Sequence, residues 1–162
     1  MRLRAAAPGD AAAVAAIWNR HIRQTAVTFD DREKDVAQVA ALIATRRDAG
    51  LFVVATEGGG ALAGFATAGA FRAGPGYRHT LEISVHVAPP AQGRGVGRAL
   101  VGALEAAARA AGAHVLVAAV SGENPGAVAF HAGLGFAEVG RMPQVGRKFD
   151  RWLDLIVMQK FL

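Results

Sequence analysis

From Val87 to Leu100 the chain reads Val-Ala-Pro-Pro-Ala-Gln-Gly-Arg-Gly-Val-Gly-Arg-Ala-Leu. Glycines let a backbone approach a ligand closely, and the bare N–H groups and positive dipole end of a following helix attract phosphate oxygens. Arg94 and Arg98 add guanidinium donors suited to a pyrophosphate or a ribose phosphate. Spacing then separates the known phosphate loops. A Rossmann fingerprint, Gly-x-Gly-x-x-Gly, lacks its third glycine in both frames, and the Gly-Lys-Ser/Thr of a P-loop is absent. What remains is Gln-x-x-Gly-x-Gly, formed by Gln92, Gly95 and Gly97. Immediately before it, Leu81, Ile83, Val85 and Val87 alternate with Glu82, Ser84 and His86. Such alternation makes a strand with one polar face, so a carboxylate able to act as a base stands just upstream of an anion cradle.

Elements that position these groups follow from hydrophobic period and from Gly and Pro punctuation. Arg2 to Ala5 is expected as a first strand. A helix then begins at Pro8-Gly9-Asp10, with Asp10 as N-cap, and runs to about His21 with Val14, Ile17 and Trp18 on its buried stripe. After a polar segment from Arg23 to Asp31, the spacing of Val36, Val39, Ala40 and Ile43 predicts a second helix to Asp48, ended by Gly50. Leu51 to Thr56 and Ala61 to Phe71 read as strands joined by a turn at Gly58-Gly59-Gly60, and Arg72 to Arg78 as a loop. Beyond the glycine-rich turn, Leu100, Val101 and Leu104 mark a helix to Gly112, and His114 to Val120 an apolar strand. Asn124-Pro125 opens another helix, closed by Gly133 or Gly135. Phe136 to Val139 and Trp152 to Phe161 are the last predicted strands. Residues 1–162 thus form one layered α/β domain.

Asn124 and the run Phe130-His131-Ala132-Gly133-Leu134-Gly135-Phe136 complete a second motif. Together with Gln92, Gly95 and Gly97 it resembles the acetyl-CoA signatures of the GNAT superfamily of N-acetyltransferases. Within that superfamily the chain is most similar to the phosphinothricin and methionine sulfoximine N-acetyltransferases. The similarity is carried by Ile17-Trp18-Asn19, Thr28-Phe29, Tyr77-Arg78, Thr80-Leu81-Glu82 and, most specifically, the run from Met142 to Asp154. The resemblance implies a mixed, mostly antiparallel central sheet flanked by helices, and acetyl transfer from acetyl-CoA to the free amino group of a small amino-acid-like compound.

By that resemblance, the backbone of Val85, His86 and Val87 would run beside the pantetheine arm. Gly93, Arg94, Gly95, Val96, Gly97 and Arg98 would cradle the pyrophosphate, and Asn124 would hydrogen-bond farther along the cofactor. Glu82 is the expected amine-side base, directly or through a water, and a backbone N–H near Val87 the expected oxyanion donor. His131 stands where many superfamily members carry a tyrosine that protonates the departing thiolate, which makes it a candidate acid or a packing residue. Ser84, Phe29, Arg72 and Arg78 are the substrate candidates, with Arg72 the first choice to clamp a carboxylate. Trp18, Trp152 and Phe136 are assigned to packing. Lys148 and Arg151 are expected to shape the site or a dimer contact. His86 replaces a subfamily tyrosine, and Ile83 stands where relatives often carry a polar residue.

Composition narrows the alternatives. The 162 residues carry a net charge of +5, are 52% hydrophobic and include no cysteine. A chain of this length buries enough surface to fold unaided. The absence of cysteine excludes disulfides, cysteine-ligated metals and an acyl-thiol intermediate, so transfer is expected to be direct. No metal is expected beside acetyl-CoA. The basic residues are scattered and there are one Tyr and two Trp, which argues against a nucleic-acid-binding module. No apolar run reaches the ~20 residues of a membrane span. Met1 to Arg4 mimics a secretory leader, but Asp10 interrupts the following stretch, so a cytoplasmic protein is expected. The remaining alternatives are a polyamine, aminoglycoside or protein amino terminus as acceptor, and a non-catalytic CoA sensor. A homodimer is implied by the resemblance.

Overall fold

The computed structural model describes all residues from Met1 to Leu162. Seven strands form one sheet: β1 (Arg2–Ala5), β2 (Phe52–Thr56), β3 (Leu62–Ala70), β4 (Thr80–Val87), β5 (Val115–Ser121), β6 (Ala137–Lys148) and β7 (Arg151–Phe161). Their order is β1-β2-β3-β4-β5-β7-β6. Every neighbouring pair is antiparallel except β4 and β5, which run parallel. The expected mixed, mostly antiparallel sheet is therefore present.

Helices cover both faces. α3 (Val96–Ala110) buries Val96, Leu100, Val101, Leu104 and Ala108, a stripe at helical spacing that packs with Ile83, Leu116, Ala118 and Ile156 in the larger core. α1 (Ala11–Gln24) and α2 (Val36–Arg46) cover the opposite face, where Val14, Val39 and Ile43 pack with Phe52, Val54 and Phe65. α4 (Pro125–Ala132) follows β5. Asn124 caps it as expected, its side chain accepting from the Ala127 N–H at 3.0 Å. Asp35 caps α2 by accepting from the Gln38 N–H at 2.7 Å.

Three sequence expectations need correction. Asp10 holds the N-cap position of α1 but makes no side-chain cap bond, because its carboxylate is engaged elsewhere. It accepts from the Ala7 N–H at 2.7 Å and pairs with both terminal nitrogens of Arg4 at 2.6 and 2.8 Å. The strand expected over Phe136 to Val139 starts at Ala137 and runs on to Lys148. It tolerates Pro143 because it is an edge strand, and its irregular stretch is absorbed by register shifts between Glu138 and Gly140 and between Met142 and Gly146. Phe136 packs in the core at 4% exposure, but Trp152 is 60% exposed, with the Arg147 guanidinium 4.9 Å from its ring.

Candidate active site

The two parallel strands part. Register pairs join Thr80 to Ile83 with Val115 to Ala118 and go no further, although β4 continues to Val87 and β5 to Ser121. Beyond Ile83, then, the side of β4 that faces away from β3 has no strand to bond. A cleft of about 1170 Å³ opens at this split, lined by Ser84 to Val87 on one wall and Ala118 to Ser121 on the other. Its ends are built by the Gln92 to Arg98 turn, by α4 through Asn124, Ala127, Phe130 and His131, and by Thr28, Phe29 and Asp30 of the α1–α2 loop.

At the turn, none of the six main-chain N–H groups from Gly93 to Arg98 donates to a protein carbonyl. Gly95 holds the N-cap position of α3 with φ 80°, a left-handed conformation that glycine adopts without strain. Gly97 is close-packed, since a β-carbon there would stand 3.2 Å from the Phe130 ring. A row of free amides at the amino end of a 15-residue helix is an anion cradle. Arg98 lines the cleft and donates to the Gly133 carbonyl at 3.4 Å. Arg94 turns away, pairing with Glu57 at 2.6 Å.

These residues fit acetyl-CoA. The free amides suit its diphosphate, and the unpaired edge of β4 suits its peptide-like arm, which can extend the sheet as a strand does.

Glu82 and Ser84 lie where the cleft meets the α1–α2 face. Across the sheet their register partners are Gly69 and Thr67. Burial raises the Glu82 pKa above the usual carboxylate range, and no cation offsets it. A carboxylate so placed holds a proton better than a solvated one does, which suits a base taking a proton from an amine.

His86, on the same face, is enclosed by Trp18, His21 and Phe65, with ring centroids 5.5, 5.2 and 5.1 Å away. Burial pushes its pKa down to about 3, and the neighbouring His21 adds to the effect. His21 is itself lowered by burial, and its Nε2 is enclosed without a partner. Burial thus favours the neutral form of both imidazoles.

His131 is buried on α4. Its Nδ1 lies 2.8 Å from the Ala127 carbonyl oxygen, which only accepts, so Nδ1 carries the hydrogen. Nε2 is then unprotonated in the neutral ring, and burial lowers the pKa further below its ordinary value. The geometry suits a packing and cofactor-contacting residue better than a proton donor.

The candidate residues do not all converge. Glu82, Ser84, Phe29, Asn124, His131, Val85 to Val87 and the turn line the cleft, while Arg72, Arg78 and Arg94 do not. Arg72 is exposed, 5.4 Å from the Phe71 ring centroid. Arg78 is exposed and donates to the Pro75 carbonyl at 3.0 Å. Sequence reasoning did not propose Trp18, His21, Thr28 or Asp30 as site residues, yet all four line the cleft. The helical stripe containing Trp18 was the available signal, and it reads equally well as core.

Known proteins share this arrangement. The model of the acetyltransferase (GNAT) family matches residues 14–136. The L-amino acid N-acyltransferase MnaT of Escherichia coli strain K12 is 42% identical over 159 residues, 98% of this chain and 92% of that protein. An L-methionine sulfoximine/L-methionine sulfone acetyltransferase of Salmonella typhimurium is 40% identical over 159 residues, 98% of this chain and 93% of that protein. The crystal structure of a phosphinothricin acetyltransferase from Sinorhizobium meliloti in complex with AcCoA superposes with a TM-score of 0.93 at 33% identity, covering 99% of this chain and 88% of that one. With its split sheet, its free-amide turn and these relatives, the chain belongs to the GNAT family of acetyltransferases.

Proposed function

We propose that this enzyme transfers acetyl from acetyl-CoA to the free amino group of a small amino acid of the methionine sulfoximine or phosphinothricin type. The observation that carries the reading is the position of Glu82 and Ser84 at the end of a cleft whose far end is the free-amide turn. The names of the relatives point to the same acceptor class.

Acetyl-CoA supplies an activated thioester. Gly93 and Gly95 to Arg98 hold its diphosphate, Val85 to Val87 lie along its arm, and Asn124 and His131 contact it from α4. Glu82 takes the proton from the acceptor ammonium, directly or through a water, leaving a neutral amine whose lone pair forms the new C–N bond. A β4 main-chain N–H facing the split stabilises the negative charge that develops on the carbonyl oxygen. As the tetrahedral intermediate collapses, its nitrogen gives up a second proton to solvent, the C–S bond breaks, and solvent protonates the CoA thiolate. Ser84 and Phe29 border the acceptor. Arg72 and Arg78 lie farther out and are assigned to acceptor entry. The chemical consequence is detoxification, since an acetylated amine no longer mimics the parent amino acid, and the supply of acetyl-CoA places the reaction in the cytoplasm.

The active unit is a homodimer formed through the β6–β7 hairpin. Val139, Met142 and Val145 on the edge strand β6, Phe149 in the turn and Trp152 on β7 are all exposed, an apolar concentration uncommon on a monomer surface. Sedimentation at micromolar concentration tests this, and a monomer at all concentrations would exclude it.

The decisive experiment is thiol release from acetyl-CoA over methionine sulfoximine, phosphinothricin, ordinary amino acids and an aminoglycoside. Turnover of the first two supports the reading. Turnover of the aminoglycoside alone overturns it, and CoA binding without any turnover identifies a sensor.

A further inference from the structure

Arg46 ends α2, and its side chain is half-buried. It reaches across the sheet, where Nη1 donates to Thr67 Oγ1 at 3.0 Å. Nη2 rests on Gly69 so closely that a β-carbon at that position would stand 2.4 Å from it. Thr67 is 1% exposed, and its hydroxyl hydrogen is committed to the Leu51 carbonyl at 3.0 Å, so the oxygen is left to accept from Arg46. This anchor uses one of five guanidinium N–H groups. No carboxylate pairs with the group, and burial alone acts on its pKa, lowering it. A half-buried guanidinium held in place with most donors unused and no counter-ion is prepared for an anion.

Its location says which anion. Thr67 and Gly69 are the register partners of Ser84 and Glu82. Opposed residues in an antiparallel pair share one face, with β-carbons about 5 Å apart. The guanidinium therefore occupies the place of a side chain at position 69, on the face that carries Glu82 but without offsetting the effect of burial on that carboxylate. An α-amino acid presents an amine and a carboxylate one carbon apart, and here a base at the end of the cleft shares one face of the sheet with a cation just outside the cleft lining. Resting on the assignment of Glu82 as the amine-side base, we propose that Arg46 binds the acceptor's carboxylate. Gly69 is part of the device, because any side chain there would displace the guanidinium. Acceptors whose carboxylate is masked, such as esters, amides and peptides, lose this contact.

The test compares L-methionine sulfoximine with its methyl ester in the wild-type enzyme and in Arg46→Gln, Arg46→Lys and Arg72→Gln, by thiol release. The proposal expects Arg46→Gln to raise KM for the free acid about 10- to 100-fold, the loss of a charge-assisted hydrogen-bonded pair. KM for the ester and for acetyl-CoA should stay within about twofold, which also shows that the variant is folded. Arg46→Lys should recover part of the acid's affinity. Equal changes for acid and ester, or none, overturn the proposal, as does an acid-selective loss in Arg72→Gln alone. A wild-type enzyme inert toward both acid and ester fails at the acceptor reading itself, and the assignment of Arg46 falls with it.

Discussion

The Nζ of Lys148 donates to the carbonyl oxygen of Thr28 at 2.8 Å, joining residues 120 positions apart. Lys148 is 4% exposed, and burial lowers its pKa while Asp30 and Asp31 nearby oppose the shift. Next to it, Gly146 lies under Phe29, with a β-carbon at 146 placed 2.3 Å from that ring. The carboxyl-terminal hairpin thus fastens the α1–α2 loop that closes one end of the cleft, the end assigned to the acceptor.

Lys148→Met removes the donor and leaves the Thr28 carbonyl to water. Stability should fall by about 1–3 kcal/mol, and KM for the acceptor should rise while the acetyl-CoA dissociation constant is unchanged. Calorimetric titration with CoA beside steady-state kinetics separates the two. Equal weakening of both ligands would show that the bond supports the whole fold rather than this loop.

Gly146→Ala puts a methyl where the Phe29 ring stands. The loop must move, so the acceptor KM should rise with kcat less affected. A second variant, Phe29→Ala, vacates the space. In the double variant the alanine at 146 should add little to the Phe29→Ala effect, and full additivity of the two changes would break the link.

Glu82→Gln keeps size and removes the base. The kcat/KM should drop by about 10²- to 10⁴-fold. Because burial raises the Glu82 pKa, wild-type activity should decline as pH falls through that raised value, the active form being ionised. In the glutamine variant this acid limb should disappear. Persistence of the same limb would assign it to the acceptor amine.

His86 makes stability pH-dependent. Its folded pKa is about 3 against an ordinary 6.5, so the unfolded chain binds the proton more readily. The stabilisation is complete above about pH 6.5 and is lost as pH falls toward 3, with a slope of about 1.4 kcal/mol per pH unit for one proton. His21 and His131, also lowered by burial, add in the same direction. Urea midpoints across this range should show a shallower decline for His86→Phe than for the wild type, and parallel curves would remove His86 from the account.

Much of the cofactor half of the site is readable from residue order. The glycine turn, the Asn124 cap and the alternation through β4 are local patterns, and each formed as its chemistry requires. The acceptor half is not local. Lys148 meets Thr28, Gly146 meets Phe29, and Arg46 crosses to Gly69 only after the sheet is assembled. Nothing in the spacing of these residues announces the meetings. The long β6 escaped notice for another reason: Gly140, Pro143 and Gly146 interrupt its alternation, and pairing with β7 overrides the weak local preference. Arg72 drew the carboxylate role from its sequence neighbourhood, whereas the half-buried guanidinium on this face belongs to a helix end with no distinguishing pattern.

The four-pair contact between β4 and β5 is the narrowest joint inside the sheet, matched only by the pairing of the edge strand β1 with β2. A donor arm lying in the gap becomes a surrogate eighth strand, renewed with every turnover. Amide exchange along Ser84 to Val87 should therefore slow on loading and quicken on product release, so that the catalytic cycle is also a cycle of sheet completion and fraying.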